Sequence, residues 1–373
     1  MKGSIKKNKQ TGKWDFVIDI GKDLITGKRK QKKKRGFKTK KEAEKALTAL
    51  LNELNEGSYI EPSKQAYSDY MYFWIGIKAH EMSIQTLKAY QSYLKSHISP
   101  SLGQVPLSSL TPIHIQSFVG DLRSKELSES TIKRIYNVVN ASLNAAAKTE
   151  LIKKNPASTI EKPKVVAKET VIWKWDEVSS FLDSAMSSPY YVAFLLAVTT
   201  GMRQGEVLGL RWRDVDFANE CLYVRQTLTH DGKGFKEGAK SKAGSRSVGL
   251  DAFTLSALKK QKKQVAECKL KLGIAYTDND LVICSSNGKP INPRNLLRSF
   301  YNLLEKSDLP KIRFHDLRHT HASLMLQQGE NIKLISERLG HSSVKITLDT
   351  YSHVLPNMQQ EASNRLANKL FNG

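Results

Sequence analysis

The stretch Arg313–Val354, RFHDLRHTHASLMLQQGENIKLISERLGHSSVKITLDTYSHV, decides how the rest of the chain is read. It holds five of the nine histidines, an arginine three residues after the first of them, and one tyrosine near its end. Leu317, Leu324 and Met325 supply apolar positions for a first helix, and Gly329 is placed to stop it. On that helix His315 and Arg318 share a face, because side chains three apart are neighbours. A second helix is expected from Ile332 to Leu339, with Asn331 as N-cap and Gly340 after its end. His341 follows, and Tyr351 comes ten residues later. A cation, imidazoles and a phenol together suit an anionic group such as phosphate, with the phenol available as nucleophile. The pair His-x-x-Arg alone is more often packing than chemistry, so the inference rests on the whole ordered set.

The 373 residues are enough for two or three domains with real cores, and a hydrophobic content of 40% predicts folding rather than disorder. No apolar run reaches the length of a membrane span, and the start MKGSIKKNKQ lacks the apolar core of a signal peptide. Cys221, Cys268 and Cys284 are odd in number and unclustered, with no metal spacing, and are expected to be reduced core residues. A cytoplasmic location follows from these two readings. The net charge is +23, which argues for a polyanionic partner, nucleic acid ahead of a ribosomal or membrane surface. Residues 1–45 carry 17 basic and 5 acidic side chains, about half of that excess.

Residues 13–20, KWDFVIDI, alternate as a half-buried strand, with Trp14, Phe16, Ile18 and Ile20 on one side. Thr26-Gly27 marks a turn, and Lys28 to Phe37 can return as a second strand. Thr39-x-x-Glu42 reads as a capping box for a helix striped by Ala43, Ala46, Leu47, Leu50, Leu51 and Leu54, closed by Gly57. A short sheet backed by one helix and bearing Lys28, Arg29, Lys30, Lys32, Lys33, Lys34 and Arg35 suits a groove or a row of phosphates. Residues 63–155 are read as all helical, through Tyr67–Ile77, Ser83–His97, Pro112–Arg123 and Glu129–Thr149, with Thr111 and Ser128 at helix starts. Residues 156–169 are expected to be an extended linker.

A third domain is expected over 170–373. It opens with an amphipathic helix from Asp176 and a nearly all-apolar helix from Tyr190 to Val198, broken at Gly201. Short strands are predicted around Leu222–Leu228 and Arg246–Leu250, and helices around Thr254–Lys271 and Pro293–Lys306. Arg203 falls at the start of a further helix with Glu206 three residues on to hold its stem. Lys240 lies in the loop AKSKAG just before a strand, with Lys242 a second contender two residues later.

The order Arg203, Lys240, His315-x-x-Arg318, His341, Tyr351 resembles the catalytic set of the tyrosine recombinases, the phage and conjugative-transposon integrases. The strings TTGMRQGEVLGLRWRDVDF, KSKAGSRSV, FHDLRHTHAS and LGHSSVKITLDTYSHV carry that resemblance. It implies a multidomain α+β fold: residues 1–58 as an arm-site DNA-binding domain with a three-stranded sheet plus helix, residues 63–155 as a helical core-site DNA-binding domain, and residues 170–373 as a mixed, mainly helical catalytic domain. It implies integration and excision of a mobile element through a 3′-phosphotyrosine and a Holliday junction. Tyr351 would be the nucleophile, Arg203 and Arg318 the phosphate grips, His315 and His341 hydrogen-bond donors or proton movers, and Lys240 the general acid. Neither metal nor nucleotide cofactor is implied, and the sequence has no GxxxxGK[ST] and no HExxH. Partners would be double-stranded DNA at core and arm sites, three further copies of the chain on DNA, an excision factor and a host DNA-bending protein.

Other readings stay open on the residues alone. The same chemistry serves dimer-resolving and inverting recombinases, and a basic multidomain chain can be a DNA-binding regulator without catalysis. His319 and His321 form a His-x-His, but on a helix i and i+2 diverge, so metal ligation is not expected. Asp214-x-Asp216 and Asp278-x-Asp280 lack the third carboxylate motif of a two-metal nuclease.

Overall fold

The computed structural model describes residues 3–22, 27, 29–56, 59–60, 63–166, 171–238, 246–351 and, near the C-terminus, 363–364, 366–368 and 370–371. They divide into two compact units, Met1–Ala167 and Lys168–Gly373.

The first unit begins with an antiparallel sheet of β1 (Gly3–Lys7), β2 (Trp14–Lys22) and β3 (Arg29–Phe37), in that order. Ile18 sits opposite Gly3 on one side and Lys32 on the other. Phe16 and Ile18 are buried on one sheet face with Ala43, Leu47 and Leu50 of α1 (Lys40–Asn55). This is the period-2 stripe meeting the helical stripe, as the pattern requires. The predicted capping box is split. Thr39 Oγ1 accepts from Glu42 N–H (3.2 Å), but the Glu42 carboxylate accepts from Lys38 N–H (3.0 Å), one residue earlier than expected. The turn residue Thr26 and the predicted helix stop Gly57 lie outside the described residues.

The helical part holds α2 (Tyr67–Lys78), α3 (Ile84–Tyr93), α4 (Ser99–Leu102), α5 (Pro112–Ser124) and α6 (Glu129–Lys148). A single π-turn, Leu94–Ile98, joins α3 to α4. Thr111 and Ser128 cap α5 and α6 by accepting from His114 and Thr131 N–H. Buried Tyr67 and Tyr70 hydroxyls bond the Ser142 Oγ (2.7 Å) and carbonyl (2.9 Å), so neither phenol is orphaned in the core.

The second unit opens with α7 (Trp175–Ala185), α8 (Tyr191–Thr200) and α9 (Gln204–Gly209). α8 is apolar all round and accordingly buried. A sheet of β4 (Val215–Asp216), β5 (Cys221–Val224) and β8 (Arg246–Gly249), and a hairpin of β6 (Gln226–Leu228) with β7 (Phe235–Glu237), follow. The single strand expected over Leu222–Leu228 is therefore two strands in different sheets. Arg225 stands between them, its guanidinium 3.3 Å from Asp214 and over the Tyr223 ring. The unit closes with α10 (Ala252–Leu272), α11 (Pro293–Glu305), α12 (Asp316–Gln327), α13 (Ile332–Leu339) and α14 (Val344–Tyr351). The three cysteines are free but only half-buried, not the core residues expected.

Its core is a cluster of Trp173, Phe181, Phe194, Phe300 and Phe314, with ring centroids 5.0–6.3 Å apart. Such aromatic pairs contribute roughly 0.5–1.5 kcal/mol each beyond area burial. Phe314 is the residue before His315, so this packing fixes where α12 starts.

Candidate active site

The site is assembled by the ends of short helices. α8 stops at Gly201, whose left-handed φ of 65° turns the chain and aims its carbonyl inward. A Cβ at that position would lie 2.7 Å from both His321 and Leu339 side chains, so glycine is required for space as well as for φ. Two residues on, Arg203 caps α9, and Glu206 accepts from both its backbone N–H (2.9 Å) and its Nη1 (2.8 Å). Glu206 also takes Arg246 Nη2 from β8 at 2.9 Å. Burial alone would raise the Glu206 carboxyl; the Arg246 hydrogen bond and the charges of Arg246 and Arg203 outweigh it and hold the group down at about 2. Arg203 thus presents a half-exposed guanidinium on a fixed stem.

Arg318, in the first turn of α12, is buried. Its Nη1 donates to Gly201 O (2.8 Å) and its Nη2 to Leu339 O (2.6 Å). A guanidinium has five N–H donors, so two carbonyl bonds orient the fork and leave capacity for an anion. Burial, then the like charge of Arg203, lowers it to about 9, which keeps it a cation at neutral pH. α13 ends at left-handed Gly340, φ 67°, and the next residue, His341, is turned back so that its N–H donates to Ser336 O. His341 Nδ1 lies 2.8 Å from Thr347 Oγ1. His315 is the N-cap residue of α12. Burial first, then the neighbouring cations and histidines, lowers both His315 and His341 to about 4, so both are neutral near pH 7.

Tyr351 ends α14 and is 1% exposed. Burial pushes its phenol up to about 12, against the pull of the Arg318 charge. Its hydroxyl is 2.9 Å from Nδ1 of His319, and the His319 ring meets the His315 ring edge-on at 5.2 Å.

Five of the six sequence-predicted residues, Arg203, His315, Arg318, His341 and Tyr351, are therefore brought together. Lys240 and its contender Lys242 lie outside the described residues. Two partners were missed by the sequence reading. Arg246 reads locally only as part of a strand, and its contact with Glu206 spans forty residues of sequence. His319 enters the sequence reading only beside His321, although its four-residue spacing from His315 makes those two neighbours on a helix. His321 is used structurally, with Nδ1 2.8 Å from Val198 O and Nε2 accepting from Arg338.

On β3, the basic side chains differ in setting. Lys33, Lys34 and Arg35 are exposed, Arg29 pairs with Asp19, and half-buried Lys32 donates to Tyr59 OH (2.5 Å). Lys30 is half-buried, and Lys28 lies outside the described residues.

A buried guanidinium, Arg318, and a half-exposed one, Arg203, sit on helix ends from distant parts of the chain, with the Tyr351 phenol on a third, a set suited to phosphoryl transfer through a tyrosine. Comparison with known proteins agrees. Residues 174–358 match the model of the phage integrase family, residues 4–54 an arm DNA-binding domain, and residues 66–123 a phage integrase N-terminal SAM-like domain. The chain is 30% identical to a tyrosine recombinase XerC-like protein of Caldanaerobacter subterraneus subsp. tengcongensis, covering 95% of each chain. It is also 30% identical to the ICEBs1 integrase of Bacillus subtilis, covering 97% of this chain and 99% of that one. Among solved structures it resembles a Tn1549 transposon integrase in complex with transposon right end DNA, with TM-score 0.70 and 21% identity over 81% of this chain and 100% of that one. It also resembles a lambda integrase tetramer bound to a Holliday junction, with TM-score 0.59 and 21% identity over 91% and 95%. The chain belongs to the phage integrase family of tyrosine recombinases, site-specific enzymes that cleave and rejoin DNA.

Proposed function

We propose that this chain integrates and excises a mobile genetic element, with Tyr351 forming a 3′-phosphotyrosine and strand exchange passing through a Holliday junction. The observation that carries it is that Arg318 lies close enough to both Arg203 and the Tyr351 phenol to feel the charge of each. In this reading the two guanidinium forks grip non-bridging oxygens of one phosphodiester and offset the charge of its pentacoordinate state. Loss of one such donor typically costs on the order of 10²–10³ in rate. Neutral His315 and His341 donate hydrogen bonds to the same oxygens, and Lys240 protonates the departing 5′ oxygen. The phosphotyrosine conserves the bond energy, so the step needs no nucleotide.

The domain division we propose is residues 1–58 on arm-site DNA, 63–155 on core-site DNA and catalysis over 170–373. The linker expected over 156–169 is not extended throughout: Pro156–Thr159 is a 3-10 turn packed on α5 and α6, with Ala157 buried and its carbonyl accepting from Tyr136 OH (2.7 Å). β3 supplies the arm contacts through its exposed basic residues. Double-stranded DNA is the partner at both sites, and four copies act together, a reading supported by the lambda integrase tetramer on its junction. An excision factor and a host DNA-bending protein would bias direction. The sheet module favours integration and excision over resolution or inversion, because a second DNA-binding site lets one protein bridge distant sequences.

The test is a nicked suicide duplex bearing the core sequence recovered at the element's junctions. Wild type should give a covalent, protease-sensitive adduct, and Tyr351→Phe should give none while binding the duplex as tightly. Binding without any adduct from wild type would make the protein a regulator instead.

A further inference from the structure

We propose that His319 is a catalytic residue: its Nδ1 takes the phenol proton of Tyr351 during attack and returns it when the tyrosine leaves. This deepens the reading above and rests on Tyr351 being the nucleophile.

Among the described residues, His319 is the hydrogen-bond partner of the Tyr351 hydroxyl, at 2.9 Å. The two rings pack with centroids 5.7 Å apart, so the contact is held by packing as well as by the bond. The other histidines are committed elsewhere. His341 is tied to Thr347, and His321 lies between Val198 O and Arg338. His315 stands edge-on to His319 rather than to the phenol. A phenol 1% exposed has no ready exchange with bulk water, so its proton needs a fixed acceptor. The acceptor is the next residue after Arg318 on α12, so one helix carries both the phenol's partner and the phosphate grip.

The surroundings keep the imidazole neutral and therefore able to accept. Burial lowers it, Asp316 on α12 raises it, and Arg318 and Arg313 lower it again. His315 and His341 also face it, and both are themselves neutral. In the forward step the Tyr351 oxygen–phosphorus bond forms. The bond from phosphorus to the 5′ oxygen breaks, its electron pair going to that oxygen. The phenol proton passes to His319 Nδ1, and the 5′ oxygen takes a proton from the general acid assigned to Lys240. Religation reverses each transfer, so no proton is consumed over the cycle.

The test uses the full chain and the nicked core duplex. His319→Gln keeps a polar side chain of similar reach but cannot take the proton. Its cleavage rate should fall about 10²-fold or more with duplex affinity unchanged. The wild-type rate should be flat from neutral to mildly alkaline pH, whereas the His319→Gln rate should climb with pH as hydroxide replaces the base. A ring-fluorinated tyrosine at position 351, being more acidic, should restore His319→Gln more than it alters wild type. A His319→Gln rate within threefold of wild type, or a loss with a flat pH profile and no rescue by the fluorinated residue, overturns the proposal. Wild-type protein offers an independent check by nitrogen NMR of the histidines. Nδ1 of His319 should carry no proton, and its signal should move in Tyr351→Phe; a protonated Nδ1 overturns the proposal. Failure of wild type to form any adduct removes the nucleophile assignment itself, which is a different outcome from a normal adduct in both forms.

Discussion

At the scale of single residues, Glu206 is the side chain whose loss has the clearest consequence. It is buried, and it joins Arg203 at the site to Arg246 beneath it. Removing one partner of a buried ion pair typically costs about 3–5 kcal/mol, because the remaining charge is left uncompensated. Glu206→Ala should therefore lower the urea midpoint and also cut the adduct rate, since Arg203 loses its support. The pH dependence has a definite sign. A carboxyl held at about 2 when folded, against 4.5 when unfolded, contributes stability that is fully present above about pH 4.5. That contribution, on the order of 3 kcal/mol, is lost as pH falls from 4.5 towards 2. Acid unfolding followed by circular dichroism should be shallower over this window in Glu206→Ala than in wild type. An equal slope in both would mean the carboxylate is not held by its arginines. Glu206 itself was legible as the holder of Arg203, because three-residue spacing at a helix start is a local signal. Arg246 was not, because one arginine in a basic chain gives no hint of a partner forty positions earlier.

At the scale of elements, the site depends on helices that stop in the right place. α8, α9 and α13 are short, and two of them end on left-handed glycines, Gly201 and Gly340. Such stops are legible, since Gly after an apolar run is a C-terminal signal, and Asn331 and Gly340 bracket α13 as the sequence predicts. What the sequence does not carry is the direction in which the freed carbonyls point. Gly201 O and Leu339 O, from two helix ends far apart in sequence, converge on Arg318. Gly201→Ala tests this. A non-glycine residue at left-handed φ costs about 1–2 kcal/mol, and the added carbon meets His321 and Leu339 at 2.7 Å. The expected result is a destabilisation of about 2 kcal/mol or more in urea, with an adduct rate that drops further than the loss of folded protein explains. A rate that merely tracks the folded fraction would show that Gly201 shapes the helix end without orienting Arg318. The same limit on local reading explains the divided strand at Arg225, where an alternating run gave no sign that its partner strands lie in two sheets.

At the scale of the whole molecule, charge and chemistry are placed in different parts of the chain. About half of the +23 net charge is in residues 1–45, whereas the arginine–tyrosine cluster lies in the second unit. That asymmetry was open to the sequence reading because it needs only counting. The third strand, β1, was not open to residue patterns, since GSIKK has one apolar residue and borrows its order from pairing with β2. If the two functions are separable, Lys33, Lys34 and Arg35, all exposed on β3, should serve DNA affinity and not catalysis. Each phosphate contact contributes about 0.9 to the slope of log affinity against log salt on duplex DNA. Replacing all three with Ala should then reduce the slope for arm-site DNA by up to about 3. The same variant should form the covalent adduct on an isolated nicked core duplex at the wild-type rate. Measured by fluorescence anisotropy across a salt series and by adduct formation on the core duplex, these two readouts decide the matter together. An unchanged salt slope would remove β3 from the arm contact. A core-duplex adduct rate that fell in parallel with arm-site affinity would mean the basic sheet takes part in catalysis, and the separation of grip from chemistry would not hold.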